Sequence, residues 1–154
     1  MNADHGSDLA LVTGLYRTTN AAVRELDQRL SREHDVTFIQ AVTLLAIKSF
    51  DRPQPHLVAD YLSQQSQTVT GVLDRLERAG HIARQRDLGD RRAVRLELTD
   101  SGRRLVESVS DSLRGHVVDV LKGVDQKRRE SLQKDLGYLE TSIKSATPGR
   151  SASS

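Results

Sequence analysis

Residues 75–104 hold nine arginines, at positions 75, 78, 84, 86, 91, 92, 95, 103 and 104, and no lysine. Five acids share the stretch (Glu77, Asp87, Asp90, Glu97, Asp100), so it carries +4 where the whole 154-residue chain carries +2. A guanidinium offers a planar fork of donors that fits a phosphate or the edge of guanine. Just upstream, residues 66–78 read Ser-Gln-Thr-Val-Thr-Gly-Val-Leu-Asp-Arg-Leu-Glu-Arg. At about 100° per residue, Val69, Val72, Leu73 and Leu76 fall on one side of a helix. Gln67, Thr70, Gly71, Asp74 and Arg78 fall opposite, with Thr68 and Arg75 on the flank. Such a short, polar outer face can enter the major groove, which presents donors, acceptors and thymine methyls to a helix. The chemistry available is recognition of double-stranded DNA.

The elements that must position these groups follow from periodicity. Residues 9–30 place Leu9, Val12, Leu15, Tyr16, Val23, Leu26 and Leu30 near helical spacing. A second helix, 37–49, opens on the capping box Thr37-x-x-Gln40 and is apolar nearly all round. Pro55 suits the first turn of a third helix, His56 to Leu62. Ser63-Gln64-Gln65 is a turn, and the fourth helix runs from Ser66 to Ala79 and stops at Gly80. Gln65 caps poorly, so Ser66 is expected to serve as cap. Two strands follow, Ile82–Arg86 and Ala93–Leu98. The second alternates Val94, Leu96 and Leu98 inward with Arg95 and Glu97 outward. Between them Asp87 to Arg92 forms a hairpin tip on which Asp90 is expected to hold the Arg92 guanidinium. Thr99 caps a fifth helix, 100–122, with the stripe Leu105, Val109, Leu113, Val117, Val120, Leu121. A sixth, 126–144, carries Leu132, Leu136, Leu139 and Ile143 at the 4, 3, 4 spacing of a short coiled-coil-like seam.

The fold class implied is mainly α: a winged helix-turn-helix of six helices and a two-stranded wing. One domain is expected, with a DNA-binding lobe at 37–102 flanked by helices at 9–35 and 103–144. Residues 1–7 and 147–154 read as disordered tails.

Composition narrows the function further. The chain has no cysteine, which excludes disulfides and thiol chemistry. Its five histidines (5, 34, 56, 81, 116) are scattered, with no spacing that would ligate a metal, so neither metal nor cofactor is expected. There is no apolar run of about 18 residues, and the N-terminus lacks a secretion signal, so a cytoplasmic, nucleoid-associated protein is expected. No Ser/His/Asp order, phosphate loop or His-Glu-x-x-His is present, which points away from an enzyme.

Leu57 to Gly102 resembles the MarR family of regulators. Thr68 to Gly80 is similar to that family's recognition helix. Asp90-Arg91-Arg92 through Leu98-Thr99-Asp100-Ser101-Gly102 is similar to its wing signature, Asp-x-Arg through Leu-Thr-x-x-Gly. Val36-Thr37 with Gln40 resembles its entry to helix two, and the helical match extends from about 9 to 143.

The resemblance implies a two-fold homodimer on a palindromic operator, its lobes in successive major grooves roughly 34–36 Å apart. Ser66, Gln67, Thr68, Thr70, Asp74, Arg75 and Arg78 are the expected recognition-helix residues, and Arg84, Arg86, Asp90, Arg91 and Arg92 those of the wing. Arg91 or Arg92 would enter the minor groove, and Arg78, Arg84 and Arg86 would lie near phosphates. The first helix and the last two, 9–35 and 103–144, would form the dimerisation region, with Leu9, Val12, Leu132, Leu136, Leu139 and Ile143 at the interface. Family members are usually repressors, and many release DNA when a small-molecule effector binds between the dimer helices and the lobe. Tyr16 and His34 are the candidate ligand contacts. The chain departs from the family at Gly71, where a long side chain is common, at Gln65, often Ser or Asp, and at Gln64, usually apolar. The alternative is a winged-helix protein-interaction module that does not read DNA. It would need exposed apolar groups where the fourth helix carries Gln, Thr, Asp and Arg.

Overall fold

The computed structural model describes residues 5–146. In order they form α1 (His5–His34), α2 (Phe38–Phe50), α3 (Pro55–Tyr61), α4 (Ser66–Arg78), β1 (Ile82–Arg86), β2 (Val94–Leu98), α5 (Asp100–Val120) and α6 (Gln126–Ala146). The chain divides into two compact units after Val117.

In the first unit, local chemistry sets most boundaries. Thr37 caps α2 through its hydroxyl while the Gln40 side chain accepts the Thr37 N–H, so the capping box is complete. Pro55 opens α3, where its missing N–H costs nothing. Gly80 closes α4 at φ 81, and its N–H and that of His81 return to the carbonyls of Glu77 and Leu76, a Schellman motif. Thr99 accepts the Gly102 N–H at 3.0 Å and donates to the Gly80 carbonyl at 2.6 Å, so one hydroxyl ties the end of α4 to the start of α5. β1 and β2 pair antiparallel from Ile82 opposite Leu98 to Arg86 opposite Val94.

Two apolar clusters hold these elements. One joins α2, α3, α4, both strands and α5 around Leu44, Ile47, Val58, Leu73, Leu76, Leu96 and Val106. The other joins α1, α2 and α5 through Leu26, Leu30, Ala41, Val109 and Leu113. Leu45 and Leu105 pack against both. Phe50 and Tyr61 meet edge to face at 5.1 Å, fixing the end of α3 against the end of α2.

Several sequence expectations change here. Residues 5–7, assigned to a polar tail, belong to α1, while 1–4 and the expected tail 147–154 lie outside the described residues. Val94 is exposed although Leu96 is buried, because it pairs with Arg86 at the outer end of the ladder, beyond the core. On α5 the buried positions are Gly102, Val106, Val109 and Leu113. Leu105 is only half-buried and Val117 and Val120 are exposed, so the stripe is shifted by one residue at its start and stops early. Gly102 is close-packed: a Cβ there would lie 1.9 Å from the His81 carbonyl oxygen.

In the second unit α6 has no buried residue among those described. Leu132, Leu136 and Ile143 are exposed and Leu139 is half-buried. Arg129 ties the preceding turn to α6 by donating to the carbonyls of Leu121 and Val124, both at 2.7 Å.

Candidate nucleic-acid interface

Helix α4 is held by its inner face. Val69, Val72, Leu73 and Leu76 are buried, so helical geometry alone turns the remaining residues outward. Ser66, Gln67, Thr68, Thr70, Arg75 and Arg78 are all exposed, and no large apolar side chain interrupts them. The helix begins without a side-chain cap. Gln65 holds the N-cap position, and Ser66, expected to take it over, is the first helical residue because its backbone already turns with the helix. Thr70 donates its hydroxyl to the Ser66 carbonyl at 2.8 Å, which leaves its oxygen and methyl outward. Beside it, the space a Gly71 side chain would fill is empty.

The nine arginines of 75–104 sort into two groups. Arg84, Arg95 and Arg103 are spent on acids. Arg84 reaches from β1 to two carboxylates of α4, Asp74 at 2.7 Å and Glu77. Partial burial works against its charge, but the two acids outweigh that and hold its pKa above the ordinary value. Arg84 therefore ties β1 to α4 through these two acids. Asp74, expected on the reading face, is half-buried and faces Arg84. Arg95 grips Asp87 at 2.8 and 3.0 Å, bracing the hairpin across its neck.

Arg75, Arg78, Arg86, Arg91, Arg92 and Arg104 are exposed and hold no salt bridge among the described residues. Asp90 does not grip the Arg92 guanidinium: its Oδ1 accepts the Arg92 backbone N–H at 3.0 Å. An Asx turn satisfies the nearer donor, and the guanidinium is left outward. Asp87 makes the matching turn with the Gly89 N–H at 3.1 Å. That bond first, and Arg95 second, lower the Asp87 carboxyl below its ordinary 3.8.

The candidate ligand contacts separate. Tyr16 is 71% exposed on α1. His34 is half-buried at the end of α1, with Nε2 2.7 Å from the Ser112 hydroxyl of α5. Sequence reasoning missed the network around it. Arg29 donates to His116 Nδ1 at 3.3 Å, which leaves Nε2 to donate to Glu33 at 3.0 Å. The bond to His116 is the main reason the Glu33 carboxyl lies below its ordinary range. No sequence signal could have found this, since the partners are more than 80 positions apart. No group of three or more metal-ligating side chains occurs among the described residues, and no helix there is long and apolar enough to cross a membrane.

A short helix, a four-residue turn, a second helix with a polar outer face and an arginine-tipped hairpin define a winged helix-turn-helix protein. The MarR family model matches residues 34–93. The HTH-type transcriptional regulator TtmR of Methylorubrum extorquens (strain PA1) is 30% identical over 136 residues, 88% of this chain and 68% of its own. Among solved structures, the S. aureus MepR–DNA complex superposes with a TM-score of 0.77 at 25% identity, covering 86% of this chain and 97% of that one. Bordetella bronchiseptica BpsR, whose structure concerns regulation of DNA binding by 6-hydroxynicotinic acid, has a TM-score of 0.77 at 24% identity over 85% and 98%. The chain belongs to the MarR family and is a transcriptional regulator.

Proposed function

We propose that the chain is a homodimeric repressor that binds a palindromic double-stranded operator and is released by a small-molecule effector. The observation that carries this reading is the set of exposed polar and cationic residues on α4 and the wing. Gln67, Thr68, Thr70, Arg75 and Arg78 stand on α4, and Arg86, Arg91 and Arg92 on the wing, where the three arginines hold no salt bridge among the described residues. In this reading Gln67, Thr68 and Thr70 face base edges in the major groove, while Arg91 and Arg92 reach the narrower, more electronegative minor groove. Arg75, Arg78 and Arg86 meet phosphates.

The exposed apolar residues of α1 (Leu9, Leu11, Val12, Tyr16) and of α6 (Leu132, Leu136, Ile143) are offered to a second copy. MepR was solved bound to DNA, and DNA binding by BpsR is regulated by a small aromatic acid. Both support the same activity here.

The test is selection of genomic fragments by the purified protein, followed by binding measured against salt. Retention of one fragment class, with log affinity falling linearly against log salt, is the expected result. Equal weak binding to every fragment would leave a non-specific cationic surface. No retention at low salt would favour the protein-interaction alternative.

A further inference from the structure

A cavity of about 410 Å³ opens on the winged lobe between the end of α2, strand β2 and the first turns of α5. It falls within the range of roughly 300–1,000 Å³ typical of small-molecule sites. Its apolar lining is Ile47, Leu96 and Leu98, the first two fully buried. Charges of both signs line the rest. Arg52 is spent on Glu97 at 2.5 Å and Arg103 on Asp100. Lys48, Asp51 and Glu107 hold no salt bridge among the described residues, so the cavity presents one cation and two acids without partners of their own.

The backbone here is unusual. Asp51 and Arg52 are consecutive non-glycine residues in the left-handed region, at φ 50 and 59. Such conformations are strained and persist only where surrounding contacts enforce them. Helix α2 ends there, and its last carbonyls are the negative end of its dipole.

We propose that this cavity binds a small zwitterion of the α-amino-acid type with an apolar side chain. The ammonium would sit at the carbonyl end of α2 with Asp51 and Glu107. The carboxylate would pair with Lys48, and the side chain would lie over Leu98, the apolar lining residue that keeps exposed surface. The site is distinct from Tyr16 and His34, neither of which lines it.

The same turn is sewn to the wing. Leu96 donates its N–H to the Pro53 carbonyl at 2.9 Å, and Arg95 reaches the Arg52 carbonyl at 3.4 Å while holding Asp87. A ligand that relaxes Asp51–Arg52 therefore acts on β2, the strand leading back from the Arg91–Arg92 tip. This second half rests on the DNA-binding reading.

Calorimetry on the full chain tests the site without DNA, so its failure leaves the DNA-binding reading untouched. The probes are L-leucine and L-phenylalanine, with 4-methylpentanoate and 3-methylbutylamine as leucine skeletons lacking one charge each. Saturable binding of an amino acid is expected, weakened about tenfold or more in both single-charge analogues and in Lys48→Ala and Glu107→Gln. No heat from either amino acid at millimolar concentration overturns the site. Equal binding of 4-methylpentanoate and leucine overturns the zwitterion. With binding established, an operator affinity unchanged by saturating amino acid overturns the coupling to the wing.

Discussion

Arg84 of β1 places its Nη2 2.7 Å from Asp74 Oδ1 of α4, so the first wing strand is bolted to the recognition helix by a charge pair that also takes in Glu77. One guanidinium there neutralises much of two acids that otherwise stand beside the DNA-facing surface. The tie is partly exposed, so solvent screening limits its contribution to stability to about 0–1 kcal/mol. Its consequence is positional and electrostatic.

Arg84→Ala is therefore expected to weaken operator binding through its neighbours rather than through a lost phosphate contact. The cause is two uncompensated carboxylates and a loosened wing. Adding Asp74→Asn and Glu77→Gln should recover most of the affinity, as read by fluorescence anisotropy. A loss that persists unchanged in the triple variant would mean that Arg84 contacts DNA directly.

The wing neck should be acid-sensitive. Asp87 has its carboxyl held below the ordinary 3.8 by the Gly89 N–H and by Arg95. A group depressed in the folded state stabilises it above the unfolded pKa, and that contribution is lost as pH falls through the folded one. Thermal midpoints of the native chain should drop below about pH 4, and those of Asp87→Asn should drop less steeply there. Asp100 and Glu33 are also depressed and titrate in the same window, so the variant flattens the fall without abolishing it. Parallel curves for the two proteins would remove Asp87 from the account.

The apolar stripe of α6 should set the oligomeric state. Leu136 is 51% and Ile143 59% exposed in the chain alone. Burying one such side chain contributes roughly 1.5–3 kcal/mol. Leu136→Lys with Ile143→Lys should weaken self-association by at least about a hundredfold and give a monomer in light scattering, with helix content preserved. A dimer of native size in the double variant would place the interface elsewhere.

What was legible in the sequence was mostly local. Thr37 with Gln40, Pro55, Gly80 and Thr99 each declare a helix end through bonds spanning a few residues, and all four act as read. The period of Val69, Val72, Leu73 and Leu76 fixed which face of α4 turns outward. The errors lie where a side chain chooses among partners. Asp90 took the nearer backbone N–H over a long guanidinium that would have to be ordered. Arg84 found acids seven and ten positions back, which no spacing rule singles out. Leu105 lost full burial to Val106 because it lies where two core clusters meet, a feature of the packed lobe that a single-helix wheel does not contain. Gly102 reads as one letter of a signature, yet its reason is the His81 carbonyl lying against it.

The most direct test of the central claim is a footprint of the best selected fragment with the native chain and with Arg91→Ala/Arg92→Ala. Both arginines are exposed, without salt bridges, at the wing tip. The native protein should protect an inverted repeat of about 20 base pairs. The double variant should remain folded, lose about 1–3 kcal/mol of affinity and show a shallower salt dependence. Identical footprints and affinities for the two proteins at moderate salt, or no selective protection by a folded native dimer, would contradict it.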